Sequence, residues 1–126
     1  MRFAQRVFLV AGIYGLLLMP LMYFQERQFG RDYPPLITHP EFYYGFVGVV
    51  LAWQIAFLVI AYDPRRFRPL MIPAMLEKFL FVLAIGGLLL AGRRDELARF
   101  IPFAALIDLV LGVLFVIAWR KTGDEW

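Results

Sequence analysis

Four apolar runs decide what this chain can become. They are Val7–Phe24, Phe42–Tyr62, Ile72–Gly92 and Ile101–Trp119, each 18 to 21 residues long. At about 1.5 Å per residue, a helix of that length covers roughly 27 to 32 Å, close to the thickness of a bilayer's hydrocarbon core. Lipid offers no partner to a bare peptide group, so such runs must close their own backbone bonds as helices. The expectation is an all-α integral membrane protein, an antiparallel four-helix transmembrane bundle forming a single domain.

Composition agrees and excludes several chemistries. Of the residues, 62% are hydrophobic and the mean hydropathy is +0.70, well above a soluble domain. There is no cysteine, so no disulfide, thiol nucleophile or cysteine-ligated cluster is expected. The lone histidine, His39, excludes a multi-histidine metal site within one chain. Met19, Met22, Met71 and Met75 read as packing residues, since no His or Cys accompanies them. No metal, no cofactor and no identifiable catalytic residue are expected. The net charge of +3 is split into short clusters between apolar runs. That arrangement suits membrane lipids, with Arg65, Arg66 and Arg68 on anionic headgroups, and not nucleic acid.

The first run follows Arg2 and Arg6, as a signal peptide's would, but ends in "LLLMPLMYFQER" with no small-residue cleavage site. It reads as an uncleaved helix whose last turn Pro20 should loosen. Basic residues set orientation. Arg2, Arg6, Arg65, Arg66, Arg68, Arg120 and Lys121 share one side; Arg27, Arg31, Arg93, Arg94 and Arg99 share the other. Seven against five favours a multi-pass cell-membrane protein with both termini cytoplasmic. The acids on the first side are Asp63, Asp124 and Glu125, so the bias survives in net charge. In the long first connection, Thr38 and Glu41 match a capping box for the second helix, and "DYPPLI" suggests an ordered flap on the membrane surface.

Helices in lipid approach closely where side chains are small. The expected seams are Gly48, Ala52 and Ala56 in the second run, with Gly45 beside them. In the third they are Ala74, Ala84 and Ala91, and in the fourth Ala104, Asp108 and Gly112. Glu77 falls near the middle of the third run's small face. Lys78 is turned about 100° toward a flank and is expected to snorkel roughly 9 Å to the headgroups.

The polar groups within the runs are the functional candidates, because charge in lipid is expensive. Glu77 and Asp108 give two inward carboxylates, with an axial offset of roughly 9 Å that leaves room for water or a small ligand. Gln54 and Tyr14 lie at similar depth, each about 12 Å from the cytoplasmic side. Gln54 projects about 160° from the Gly48–Ala52–Ala56 ridge, so the second helix either touches neighbours on both sides or offers Gln54 to a second protomer of a homo-oligomer. The ligand or ion candidates are therefore Glu77, Asp108, Gln54 and Tyr14. Each carboxylate could instead be structural, hydrogen-bonding a neighbouring helix to fix its register.

The stretch "FYYGFVGVVLAWQIAFLVIAYDPRRFRPLMIPAMLEKFLF", Phe42 to Phe81, resembles a segment of small uncharacterised bacterial membrane proteins with four helices. The resemblance implies a bacterial inner-membrane setting and carries no activity. Small multidrug-resistance transporters are also four-helix proteins but rest on a glutamate in their first helix, and the first run here holds no acid. Bundles of the sterol-isomerase and sigma-2 type use inward carboxylates around an amine or sterol pocket, an analogy of chemistry without a shared motif. Three readings follow. One is a non-enzymatic structural or accessory bundle, with a lipophilic ligand as its possible cargo. Another is a proton-coupled transporter of small or lipophilic cations. The last is a lipid or sterol-type isomerase. The first is preferred, and the last is weakest, because acid–base catalysis needs both carboxylates within reach of one substrate and the axial offset strains that.

Overall fold

The computed structural model describes residues 2–124; Glu125, counted above among the acids, lies outside them. The fold is all-α. It contains α1 (Arg2–Leu18), α2 (Glu26–Asp32), α3 (Pro40–Tyr62), α4 (Met71–Leu90) and α5 (Ile101–Asp124). Four are long and apolar enough to cross a membrane: α1 with its extension to Phe24, α3, α4 with the turn before it, and α5. The short α2 lies in the first connection.

Local sequence explains the helix limits. Pro20 cannot donate to the helical ladder, and α1 tightens at Met19 into a 3-10 stretch that runs to Phe24. The capping box does not form. Helix α3 opens at Pro40 with His39 before it, and no side chain caps the turn. A proline's fixed φ suits the first helical position, so the start sits two residues after Thr38 and leaves Thr38 exposed. Gly92 ends α4 with φ at 76°, a value that favours glycine. The amide of Arg93 then bonds back to the Leu88 carbonyl at 3.0 Å.

Packing is concentrated at one end of the molecule, where the start of α1, the end of α3, the start of α4 and the end of α5 meet. Ala4, Phe8, Ala11, Phe57, Ile60, Ala61, Met71, Ala74, Phe115 and Ala118 form this core. Three phenylalanines from three helices make its centre. Phe8 stacks on Phe115 with ring centroids 4.3 Å apart, and Phe57 meets Phe115 edge-on at 5.0 Å. Such ring pairs contribute about 0.5–1.5 kcal/mol beyond area burial. Trp53 packs against the same cluster. The opposite end is looser. The buried residues of α4 are Met71, Ala74 and Lys78, none beyond its eighth position.

The seams differ in part from expectation. Gly112 receives Phe79, whose Cε1 would lie 2.8 Å from a Cβ at that position, so the α4–α5 contact does run through a small residue of α5. On α3, however, Gly45 and Ala52 are exposed, and a Cβ at Gly45 meets nothing within 4 Å. The buried side of α3 is Val47, Gln54, Phe57, Ile60 and Ala61. The close approach between α1 and α3 is made by glycines of α1. Gly15 lies against the Gln54 side chain, and a Cβ at Gly12 would be 3.0 Å from the Gln54 carbonyl. On α4, Ala74 is buried but Ala84 and Ala91 are exposed.

The first connection is held down by aromatic contacts. Tyr43 Oη donates to the Met22 carbonyl at 2.6 Å, and Tyr44 Oη to Glu26 Oε2 at 2.8 Å. Phe29 meets the rings of Tyr33, Tyr43 and Phe100, tying α2 to the starts of α3 and α5.

Candidate functional site

The sequence places Glu77 and Lys78 side by side on α4 and Asp108 on α5; the fold brings all three together. Lys78 Nζ lies 3.3 Å from Asp108 Oδ1, to which it donates a hydrogen bond, and 3.4 Å from Glu77 Oε2. The ammonium also sits 5.2 Å from the centroid of the Phe57 ring on α3, a cation–π distance. Three helices therefore converge on one cation. The side chain of Lys78 is 6% exposed, that of Glu77 14% and that of Asp108 20%. The contact to Glu77 is an ion pair without hydrogen-bond geometry. Glu77 Oε2 is buried and accepts no hydrogen bond.

This corrects two expectations. Lys78 does not snorkel; it is buried and turned toward the carboxylates. Reaching the headgroups needed roughly 9 Å, whereas Asp108 is within hydrogen-bond range. In a low-dielectric interior, a carboxylate within hydrogen-bond range holds an ammonium more strongly than it would in water. Nor is the space between the carboxylates left for water or ligand, because Lys78 Nζ occupies it. An axial offset between two backbone positions does not separate side chains when a lysine stem bridges them.

The other candidates lie elsewhere. Gln54 is buried, and its Nε2 donates to the Val50 carbonyl of its own helix at 2.8 Å. With Gly15 of α1 against it, Gln54 faces this chain and not a second protomer. Tyr14 is 40% exposed and points outward. Among the described residues, no group of three or more His, Cys, Asp or Glu could hold a metal ion.

A second polar cluster, missed in the sequence, closes the packed end. Arg68 donates through Nε and Nη2 to the Trp119 carbonyl at 3.0 and 2.8 Å, and through Nε to Thr122 Oγ1 at 3.2 Å. Its guanidinium stacks 4.3 Å from the Trp119 ring. Arg68 thus engages the last turns of α5, where a cation is favoured by the helix dipole. Arg65 and Arg66 are exposed. The signal available in sequence was one of three arginines in a proline-bounded turn, which does not reveal its partner.

No family model, curated protein or solved structure matches the chain.

Proposed function

We propose that the chain is a multi-pass membrane protein, an antiparallel four-helix bundle with both termini cytoplasmic, which works by binding and not by catalysis. Its cluster of Glu77, Lys78 and Asp108 is the site where one proton is held. Large apolar side chains on every long helix support the membrane setting: Val10, Leu17, Val49, Leu83, Leu90, Phe103 and Val110 are all exposed. In water they would form an unusually large apolar surface; in lipid they are solvated.

The observation that carries the binding reading is the charge balance of the cluster. One ammonium faces two carboxylates, and one buried carboxylate oxygen accepts no hydrogen bond. Fully ionised, the three groups sum to −1 inside the bundle, a state costing several kcal/mol without a counter-charge. One proton restores neutrality. The proton belongs to the pair and not to either carboxylate alone.

The infrared band of a protonated carboxyl group tests this in reconstituted membranes at neutral pH. Wild type should show one such band. Both Glu77→Gln and Asp108→Asn should lose it, since either leaves one carboxylate matched to one ammonium. A wild type without the band, or variants that both keep it, would sink the reading.

A second reading, proton-coupled carriage of a small lipophilic cation, draws support from the looseness of α4 beyond Lys78. There, uptake into proteoliposomes driven by a proton gradient should vanish in both variants while the fold persists; undiminished uptake removes it. Lys78 fills the space that an isomerase's substrate would need between the two carboxylates, which weighs against that chemistry.

A further inference from the structure

At the end opposite the packed core, a pocket of about 600 Å³ opens between the first connection and the turn before α5. Residues 32–34 and 94–99 line it, together with Pro102. Pro102 also borders a shallow groove of about 210 Å³ between α4 and α5. That groove is walled by apolar side chains, Leu89, Leu106 and Leu109 among them, with Gly86 on its floor. A charged pocket and an apolar groove therefore adjoin at one residue.

The charges in the pocket are of both signs. Glu96 is already engaged by Arg93, through bonds of 2.7 and 2.9 Å. Two guanidinium groups, Arg94 and Arg99, and two carboxylates, Asp32 and Asp95, line it as well; Asp32 Oδ1 also accepts a hydrogen bond from Gln28 Nε2 at 3.0 Å and keeps its second oxygen. Neither arginine is tied to a carboxylate among the described residues. A simple anion would meet the two acids, and a simple cation the two arginines. A zwitterion with an apolar tail satisfies both signs and the groove.

We infer that the pocket and groove together bind one zwitterionic phospholipid. Its phosphate lies on Arg94 and Arg99, its ammonium on Asp32 and Asp95, and one acyl chain runs along the groove past Leu89 and Leu106. Arginine suits the phosphate because its planar fork offers paired donors. From Leu89 to Val82 the groove follows α4 for about 10 Å, enough to order the upper part of a chain. The inference rests on the membrane reading above, which sets residues 94–99 at headgroup level.

The test is native mass spectrometry of the protein released from vesicles of equal phosphatidylethanolamine and phosphatidylglycerol. Wild type should retain one phosphatidylethanolamine in preference to phosphatidylglycerol. Arg94→Ala with Arg99→Ala should lower that retention at least about tenfold, the loss of charge-assisted bonds to one phosphate. Asp32→Asn with Asp95→Asn should shift the preference toward phosphatidylglycerol. Gly86→Phe should block the chain; a Cβ there meets nothing within 4 Å, so the substitution begins in open space. Equal retention in wild type and Gly86→Phe, or a wild-type preference for phosphatidylglycerol, would overturn the assignment. Alkaline extraction of the same membranes separates the two failures. A chain that is extracted fails the membrane reading, and an embedded chain that retains no phosphatidylethanolamine fails this inference alone.

Discussion

Lys78 is the residue on which the cluster turns. Replaced by Met, it leaves Glu77 and Asp108 partly buried with no positive charge between them. Breaking a buried ion pair from one side costs about 3–5 kcal/mol. Lys78→Met should therefore unfold earlier than wild type in denaturant titrations in detergent. Lys78→Met with Glu77→Gln and Asp108→Asn should recover most of that loss, because no charge is then left unpaired. A triple variant as unstable as the single one would show that Lys78 acts by packing. Gly15 gives a second prediction. A methyl group there collides with Gln54, which is itself fixed on the Val50 carbonyl. Gly15→Ala should cost about 1–3 kcal/mol as an overpacked contact. Adding Gln54→Ala should return part of it, and additive losses in the double variant would contradict the contact. Between α4 and α5, Arg93 acts on Glu96. Its hydrogen bonds hold the Glu96 carboxyl below its ordinary value of 4.5. A depressed carboxyl contributes stability above its unfolded pKa and loses it as pH falls through the folded one. In Arg93→Ala, the Glu96 titration followed by NMR should move up toward 4.5; an unmoved midpoint would mean the bond is not populated.

Each helix was legible to a different degree. The four apolar runs gave away the long helices, because length and apolarity together leave no other element. Their facing was harder to read. The Gly48–Ala52–Ala56 ridge has the spacing of a seam, yet α3 buries Gln54 and Phe57 instead. Small residues permit close approach but do not compel it, and here the space for α3 comes from Gly12 and Gly15 of α1. Glu77 and Asp108 were legible as inward groups from the residues around them. Lys78 was not, because neighbours on a helix diverge by 100° and only the α5 partner makes them converge. The end of α5 was likewise hidden. Its apolar run stops at Trp119, but the helix continues to Asp124, with Arg68 bound across its last turns. Arg68→Lys keeps the charge and loses the fork that reaches Trp119 and Thr122 together. It should speed hydrogen exchange of amides in residues 119–123, with a loss of about 1–2 kcal/mol in local protection. Exchange unchanged from wild type would leave the arginine without a role in α5.

At the scale of the whole molecule, the asymmetry between its two ends bears on how it would enter a membrane. The packed end carries exposed Arg2, Arg6, Arg65, Arg66, Arg120 and Lys121, while Arg68 is turned inward onto α5. The opposite end carries five arginines, Arg27, Arg31, Arg93, Arg94 and Arg99. Insertion responds to Lys and Arg in short connections and gives little weight to acids. With seven bases against five, loss of Arg65 and Arg66 would leave five on each side and no bias. The chain has no cysteine, so a single introduced one reports its own side. Thr38 and Pro69 are exposed at opposite ends. In intact cells an impermeant maleimide should label Thr38→Cys and spare Pro69→Cys. In the Arg65→Ser, Arg66→Ser background both should label in part, as molecules enter in both directions. Labelling of Pro69→Cys alone in the parent would reverse the orientation. Strict labelling of Thr38→Cys alone in the depleted background would show that the 62–71 turn does not set it, leaving Arg2 and Arg6 to direct the first helix.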